Sequence, residues 1–301
     1  MVEEWGKLRD SVLGHLRKYF SYNLYMRKKQ FWFFIETTSF CNAQCEFCIN
    51  PRLKRKKCYM SDDTFNTIIR RVLEEHIIPT GFCMHLNGEP LLDKKIVERI
   101  NCIGDSFPGV TIEMTTNFKL ANEYIIKQLL NSKLSTLRIS LNAADEENYQ
   151  KRMHLTDFNG TLENVRRALI INNSLEQKKK IIVSIVENHS NKSQVDSLKR
   201  LINEDCELIT IKEGTWDREE SFDCKSDRRI ICDAIYKTVC ILSDGSYSLC
   251  CYDAEGKTGL NISNTGIMEA LKSPFYNNLR KEHLLHSIDN GICKGCSRYI
   301  D

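Results

Sequence analysis

From about residue 31 onward, short runs of apolar residues alternate with longer stretches in which apolar residues recur every three or four positions. The short runs predict β-strands and the longer stretches predict amphipathic helices. This alternation is typical of a parallel sheet built from βα units. Six strands are predicted, at Phe31 to Thr37, Thr80 to Leu86, Val110 to Thr116, Ser135 to Leu141, Lys180 to Glu187 and Glu207 to Lys212.

One helix is predicted in detail, between the first two strands. Ser61 is the expected N-cap, and Asp62 and Asp63 complement the positive end of the helix dipole in the first turn. One face is apolar, and we expect it to pack on the sheet. Its members are Phe65, Ile68, Ile69, Val72 and Leu73.

The strand and helix pattern stops in a polar, charged stretch at about residues 214–230, which predicts a domain boundary near residue 220. The chain then divides into an N-terminal amphipathic helix over 1–30, an α/β core over 31–220 and a C-terminal segment over 221–301. We expect the N-terminal helix to pack on the core. In parallel α/β folds the loops that follow the carboxyl ends of the strands carry the chemistry.

Composition limits the classes of partner. The net charge is +3 and the charges are spread along the chain, so no nucleic-acid partner is expected. No apolar run reaches the roughly 18 residues that a membrane span needs, and the first residues lack a secretory pattern, which predicts a cytoplasmic protein. In a reducing compartment, fourteen cysteines indicate metal or cluster ligation rather than disulfides.

Three cysteines follow the first predicted strand in a C-x3-C-x2-C spacing, at Cys41, Cys45 and Cys48. Three thiolates on one loop suit a 4Fe-4S cube, because they hold three irons and leave the fourth open to a ligand. A zinc site needs a fourth ligand, and the nearest candidate is Cys58, ten residues further on.

The triplet, with an aromatic residue before its last cysteine, resembles the signature of the radical S-adenosylmethionine (radical SAM) superfamily. Further positions resemble that family after the expected strands. They are Asn87, Gly88, Glu89 and Pro90, similar to a Gly-Gly-Glu-Pro motif; Asn117, similar to the Asn of a Thr-Asn-Gly element; and Ser140 and Asn142, similar to polar residues at the end of strand four.

The resemblance implies a partial (β/α)6 barrel with a small C-terminal, hairpin-containing extension. It also implies that the open iron binds S-adenosylmethionine, whose reductive cleavage gives a 5′-deoxyadenosyl radical. Glu89 would then accept from the methionine ammonium group. Ser140 and Asn142 would reach the ribose hydroxyls or the methionine carboxylate.

A second set of four cysteines lies in the C-terminal segment. Cys232 and Cys250 flank a predicted hairpin turn at residues 243–246, and Cys293 and Cys296 follow later. Spacing alone allows either Zn(Cys)4 or an iron-sulfur cluster. The layout resembles the SPASM and twitch extensions of radical SAM enzymes, which implies one auxiliary 4Fe-4S cluster.

The other cysteines fall into two groups. Cys83, Cys102 and Cys206 are predicted to be buried small apolar residues. Cys251, Cys240 and Cys224 are candidate hydrogen donors, a role that an epimerase would require.

Three functions follow from these alternatives. A fully ligated auxiliary cluster favours electron transfer, and hence oxidation of a sugar or cyclitol alcohol, for which the family provides a precedent in an aminocyclitol dehydrogenase. Crosslinking or epimerisation of a ribosomally made peptide is the competing enzymatic function. A non-catalytic iron-sulfur or zinc protein is the alternative of another class.

A basic run at residues 52–57 follows the first cysteine loop. The simplest expectation is that this run is a solvated loop. Two functional alternatives are that it docks an acidic flavodoxin- or ferredoxin-type electron donor, or that it contacts a phosphate-bearing substrate.

Overall fold

The computed structural model of the protein describes residues 23–187, 191–202, 206–212, 231–285, 287–289, 291–294 and 296. The predicted boundary near residue 220, Cys224 and most of the predicted N-terminal helix lie outside these residues. Within the described ranges, no helix is long and apolar enough to cross a bilayer.

Eight strands form one sheet in the order β6-β5-β4-β3-β2-β1-β7-β8. The first seven run parallel, and β8 is antiparallel to β7. The strands are β1 Gln30–Ile35, β2 Ile78–Cys83, β3 Thr111–Thr116, β4 Thr136–Ser140, β5 Lys180–Glu187, β6 Glu207–Lys212, β7 Thr238–Ile241 and β8 Tyr247–Ser248.

Helices connect the parallel strands and continue into the C-terminal segment. They are α1 Asp62–Glu74, α2 Ile96–Ser106, α3 Glu123–Asn131, α4 Glu146–Met153, α5 Phe158–Asn173, α6 Lys192–Ile202, α7 Ala234–Lys237, α8 Ile267–Leu271 and α9 Pro274–Leu285. The sheet is open, so the predicted α/β fold with a partial barrel is confirmed.

All six predicted core strands are present, with shifted ends in four of them. The largest shift is in β2, which begins at Ile78 and ends at Cys83 rather than at Leu86. The pairing of β2 with β3 continues one residue further, because the Met84 amide donates to the Glu113 carbonyl at 2.8 Å. Beyond that bond the chain leaves the sheet.

Helix α1 begins where the sequence predicts. The Ser61 hydroxyl accepts from the Thr64 amide at 3.0 Å, which satisfies one free N–H of the first turn. Four of the five predicted apolar residues are buried, but Leu73 is 51% exposed. Leu73 follows Val72 by one position, about 100° around the helix, so it lies at the edge of the apolar face.

The two faces of the sheet differ in character. The strand residues Ile112, Met114, Leu137, Ile139 and Val183 are fully buried and form one apolar core with the helices. The alternate positions lie on the opposite side. We call this opposite side the polar face, defined by Glu113, Thr115, Arg138, Ser140 and Ser184.

The C-terminal segment joins the same sheet. Strand β7 pairs in parallel with β1, with Phe34 opposite Cys240. The predicted hairpin follows, and Gly245 in its turn has φ +84°, a backbone conformation that L side chains rarely adopt. The extension thereby lies beside the strand that leads into the first cysteine loop.

The three cysteines that are predicted to be buried apolar residues differ in how far they are buried. Cys83 is buried as expected, whereas Cys102 and Cys206 are only partly buried. Cys206 lies just before β6 rather than within a strand.

Candidate active site

The first cysteine loop leaves the carboxyl end of β1 and is closed at its base by a short ladder. Thr38 and Tyr59 form an antiparallel bridge. The Met60 amide donates to the Thr37 carbonyl at 2.8 Å, and the Ser39 amide donates to the Cys58 carbonyl at 3.0 Å. Residues 37–39 and 58–60 are therefore the fixed ends of the loop.

The far side of this loop is held by Arg152, which the sequence reading did not single out. Arg152 is 3% exposed and forms an ion pair with Glu46 at 3.1 Å. It also donates to the carbonyls of Asn142 at 3.1 Å and Val186 at 2.9 Å. One buried guanidinium thus links the cysteine loop to the ends of β4 and β5. The only sequence signal was a basic residue in the last turn of a helix, which is common at exposed positions and does not indicate burial.

Cys41, Cys45 and Cys48 are brought together on this loop. Burial raises the pKa of all three thiols, that of Cys41 to about 11, and the charges of neighbouring cysteines add to the rise at Cys41 and Cys45. Backbone amides of Ala43 and Asn50 donate to the sulfurs of Cys41 and Cys48, both at 3.4 Å. Ligation requires thiolates, and N–H donors aimed at the sulfurs stabilise them. The donor set therefore fits a cluster.

Among the described residues, no three His, Cys, Asp or Glu side chains gather closely enough to hold a single metal ion. A 4Fe-4S cube spreads its cysteine sulfurs more widely, because each thiolate binds a different iron. The fit to a cluster rests on the neighbouring thiols and their N–H donors.

Glu89 lies at the start of a 3-10 turn after β2 and is 2% exposed. One carboxylate oxygen accepts from the Thr116 hydroxyl at 2.6 Å and the Leu91 amide at 2.9 Å, and the other accepts from the Asn117 amide at 2.8 Å. Burial raises the pKa of Glu89, and these three donors oppose the rise. A carboxylate has about four acceptor positions, so it can accept one further bond, such as one from an ammonium group.

The residues before Glu89 explain both the match to the family motif and the departure from it. A Cβ on Gly88 would lie 2.0 Å from the carbonyl oxygen of Thr38, so only glycine fits against the cysteine loop. Asn87 stands where the motif has its first glycine, and its amide donates to Glu36 at 3.0 Å. Asn87 therefore has a structural partner that glycine would lack.

Asn117 and Phe118 follow β3. The Asn117 amide side chain donates to Asn42 in the cysteine loop at 2.7 Å. Phe118 has φ +62° and is fully buried. The left-handed conformation explains why the related element has glycine at this position, and Phe118 adopts it at a cost of roughly 1–2 kcal/mol.

Ser140 and Asn142 lie at the carboxyl end of β4 and contact one another. The Asn142 amide donates to the Ser140 hydroxyl at 2.8 Å, and its carbonyl oxygen accepts from the Val186 amide at 2.8 Å. Asn142 is 2% exposed, and its bond to Val186 connects the end of β4 to β5. Ser140 remains only half-buried on the polar face.

The four C-terminal cysteines line one small pocket. Cys232, Cys250, Cys293 and Cys296 surround it, with apolar side chains between them. Burial raises the pKa of Cys232 to about 11, and the charges of Cys250 and Cys296 add to the rise. The Tyr252 amide donates to the Cys250 sulfur at 3.4 Å. This set also fits a cluster.

Two of the three candidate hydrogen donors are described. Cys240 lies within β7 and is 1% exposed, and burial raises its pKa well above the usual value. Cys251 is half-buried, and its proximity raises the pKa of the neighbouring Cys250. Cys58, the possible fourth ligand of the triplet, instead contacts the Ser243 hydroxyl through its sulfur at 3.4 Å.

Within the basic run, Arg55 departs from the expectation of a solvated loop. Its side chain is 9% exposed and pairs with the fully buried Glu36 at 2.6 Å. It also donates to the carbonyl of Ala254 at 2.6 Å. Glu36 accepts in addition from the amide and hydroxyl of Ser243 at 2.9 and 2.8 Å. Arg55 therefore fastens the first cysteine loop to the C-terminal segment.

Two family models match the chain in sequence. The radical SAM superfamily matches residues 35–175, and an iron-sulfur cluster-binding domain, SPASM, matches residues 232–297. The GTP 3′,8-cyclase of Picosynechococcus sp. is 32% identical over 114 residues, which are 37% of this chain and 34% of that protein. Uncharacterized protein MJ0804 of Methanocaldococcus jannaschii is 33% identical over 138 residues, 44% of this chain and 42% of that protein. The matched part of the chain thus spans less than half the length of these curated relatives.

Solved structures share the fold at low identity. Streptococcus suis SuiB bound to precursor peptide SuiA has a TM-score of 0.66 at 15% identity, covering 94% of this chain and 74% of that chain. BtrN in complex with AdoMet and 2-DOIA has a TM-score of 0.59 at 14% identity, covering 88% and 92%. The anSMEcpe structure with bound AdoMet and Cp18Cys peptide has a TM-score of 0.62 at 17% identity, covering 90% and 88%.

Together the two family models cover more than half of the chain and define an iron-sulfur protein on an open α/β sheet. The chain belongs to the radical SAM superfamily and carries a SPASM-type extension. It is a radical SAM enzyme with S-adenosylmethionine and two 4Fe-4S clusters as its cofactors.

Proposed function

We propose that this enzyme oxidises a secondary alcohol of a sugar- or cyclitol-type small molecule. In this proposal Cys41, Cys45 and Cys48 hold the cluster that binds S-adenosylmethionine. Cys232, Cys250, Cys293 and Cys296 hold the auxiliary cluster. The division into a core over residues 31–220 and an auxiliary domain over 221–301 is part of the same proposal.

When bound, the first cluster and S-adenosylmethionine supply a 5′-deoxyadenosyl radical that abstracts hydrogen. The residues around them bind and orient. Glu89 accepts from the methionine ammonium, and Gly88 lets that carboxylate approach the cysteine loop. Ser140 and Asn142 reach the ribose hydroxyls or the methionine carboxylate. Asn117 holds Asn42, and with it the first turn of the loop.

The arrangement of the four C-terminal cysteines is the observation that supports oxidation. With four thiolates around one pocket, no iron of the auxiliary cluster is left open to bind substrate, so its role is electron transfer. The carbinol carbon loses a hydrogen atom to the radical, its hydroxyl loses a proton to solvent, and one electron leaves toward this pocket. The product is a carbonyl, two electrons more oxidised than the alcohol.

The test is a panel of cyclitols, sugars and sugar derivatives deuterated at the carbinol positions, incubated anaerobically with reconstituted enzyme and dithionite. We expect one compound to transfer deuterium to 5′-deoxyadenosine and to give carbonyl product in a one-to-one ratio with it. Deuterium transfer with an unoxidised or epimerised product would contradict the proposal.

Modification of a ribosomally made peptide is the second candidate. It is favoured by the likeness in fold to SuiB bound to a precursor peptide and to anSMEcpe bound to the Cp18Cys peptide. Epimerisation would require a hydrogen donor, for which Cys251, Cys240 and Cys224 remain candidates. Solvent deuterium in a peptide product, lost on Cys251→Ala substitution, would favour this candidate over the first.

We propose a flavodoxin- or ferredoxin-type protein as electron donor. Arg52, Lys54 and Lys56 are exposed beside the first cysteine loop and form the docking surface in this proposal, whereas the buried Arg55 does not take part. Exchanging the three for Gln should slow flavodoxin-driven turnover and leave dithionite-driven turnover unchanged. Equal rates for variant and wild type with both reductants would rule out docking at these residues.

A further inference from the structure

An arginine that forms no hydrogen bond or ion pair with the described residues lies on the polar face of the sheet. Arg138 is in β4, two residues before Ser140, and its Nε atom is buried with no acceptor. Within the part of the chain that the structure describes, no hydrogen-bond or ion-pair partner approaches its guanidinium group. At about 3.3 Å per strand residue, Arg138 lies roughly 7 Å below the end of β4.

A second polar group near Arg138 also lacks a partner. Ser184 is 1% exposed, and its hydroxyl has no hydrogen-bond partner among the described residues. Ser184 lies opposite Ser140 in the β4–β5 pairing, and Ile182, two residues earlier, lies opposite Arg138. Because neighbours in a parallel pair share a face, the three polar side chains point to the same side of the sheet.

The surroundings do not neutralise the arginine. The imidazole Nδ1 of His85 accepts from the Thr115 amide at 3.0 Å, and burial followed by the nearby Arg138 charge lowers its pKa to about 3, so the ring is neutral. Glu113 is on the polar face but forms no ion pair with Arg138. Buried polar atoms in folded proteins are nearly always paired, so the buried Nε of Arg138 and the buried hydroxyl of Ser184, on one face of the sheet, point to a ligand.

We propose that Arg138 and Ser184 bind an anionic group of the substrate, a carboxylate or a phosphate. The guanidinium presents parallel N–H groups that match either anion, and the hydroxyl of Ser184 adds a neutral donor. This inference rests on the proposed function and narrows it: the oxidised molecule carries a negative charge as well as an alcohol. The carboxylate of Glu113 on the same face can accept from its hydroxyls.

The position of Arg138 distinguishes substrate from cofactor. The methionine end of S-adenosylmethionine is proposed to lie at the rim, beside the cysteine loop and Glu89. Arg138 lies below the rim on the polar face, on the side of the sheet away from the apolar core that the strands share with the helices. An anion held there would place the rest of a small molecule toward Ser140 and the rim.

Anaerobic calorimetry on the reconstituted enzyme with S-adenosylmethionine tests this proposal. The probes are inorganic phosphate, glucose 6-phosphate, glucuronate and the uncharged glucose. Arg138→Gln and Ser184→Ala are the test variants, and Arg70→Gln, which removes an exposed charge from the surface of α1, is the control. Circular dichroism checks that each variant is folded.

We expect at least one anion to bind tenfold or more tightly than glucose. Arg138→Gln should weaken that binding at least tenfold, Ser184→Ala about threefold, and Arg70→Gln less than twofold. Preference for glucose 6-phosphate identifies a phosphate site, and preference for glucuronate identifies a carboxylate site.

Four results would overturn the proposal. Three are equal binding of all four probes, an unchanged affinity in Arg138→Gln, and a parallel loss of S-adenosylmethionine affinity, which would assign Arg138 to the cofactor. The fourth is Arg138-dependent binding of a short glutamyl peptide, tested as an additional probe, in preference to both sugars. Uncoupled formation of 5′-deoxyadenosine, followed in parallel samples after dithionite is added, reports separately on the proposed function.

Discussion

Replacing Glu89 with Gln is expected to lower the rate of 5′-deoxyadenosine formation by about 100-fold. The substitution removes the negative charge that would accept from the methionine ammonium, and a charged hydrogen bond contributes about 1.5–3 kcal/mol. It also turns an amide toward three groups that all donate to Glu89, from Leu91, Thr116 and Asn117. The measurement is nucleoside formation under anaerobic conditions with dithionite, at S-adenosylmethionine concentrations below KM, where the rate reports weaker cofactor binding as well as slower cleavage.

Thr116→Val is the matched control, because it removes one donor to Glu89 and leaves the carboxylate in place. We expect this variant to lose less than tenfold in rate. Iron content equal to that of wild type in both variants separates a cofactor effect from loss of the cluster. A Glu89→Gln rate within threefold of wild type would mean that Glu89 has no part in binding the cofactor.

Replacing Arg55 with Met is expected to lower the free energy of unfolding by about 3–5 kcal/mol, the usual cost of leaving one partner of a buried ion pair unpaired. Glu36 would stay fully buried with only the neutral donors of Asn87 and Ser243. The measurement is anaerobic urea unfolding of the reconstituted protein. Because Arg55 also holds Ala254, limited proteolysis should cut the C-terminal segment faster in the variant.

Two further variants test this prediction. The double substitution Arg55→Met with Glu36→Met should recover much of the lost stability, because no charge is then buried alone. Arg70→Met is the matched control, since Arg70 pairs with Glu74 on the surface of α1, where such a pair contributes about 0.5 kcal/mol or less. If Arg55→Met and Arg70→Met destabilise equally, Arg55 does not fasten the two parts of the chain.

Much of the fold follows from local patterns in the sequence. The six core strands are short runs rich in apolar and β-branched residues, and alternating burial is visible in β1 and β3. The start of α1 is encoded by Ser61 and the two aspartates after it. These features depend on neighbours along the chain, and for that reason a single sequence is sufficient to predict them.

Contacts between distant segments could not be predicted in this way. Strand β7 adds to the edge of β1 although some 200 residues separate them, and no periodicity specifies that neighbour. The same holds for Arg55, which looks like one of several loop cations until Glu36 and Ala254 are seen around it. Leu73 is a further example: the spacing of apolar residues assigns it to the apolar face of α1, but it lies at the edge of that face and is exposed.

The residues of the candidate site fall into the same two groups, those found in local motifs and those defined by contacts between distant segments. Cysteine spacing and the residues around Glu89 could be read in order along the chain, because each motif is local. Arg152 and Arg138 act across strands, and their meaning depends on which residues the sheet places beside them. The departure at Asn87 is explained only by its distant partner Glu36.

The central claim is that two cysteine groups hold two clusters and that only the first cleaves S-adenosylmethionine. Its most direct test is anaerobic reconstitution of three proteins: wild type, the Cys41, Cys45 and Cys48 triple-Ala variant, and the Cys232 and Cys250 double-Ala variant. Iron is counted per chain, and 5′-deoxyadenosine is followed after dithionite is added. The account predicts about eight irons in wild type and about four in each variant, from one cube per cysteine group. Nucleoside should form in wild type and the double variant alone. About four irons in wild type, or nucleoside formation by the triple variant, would contradict the account.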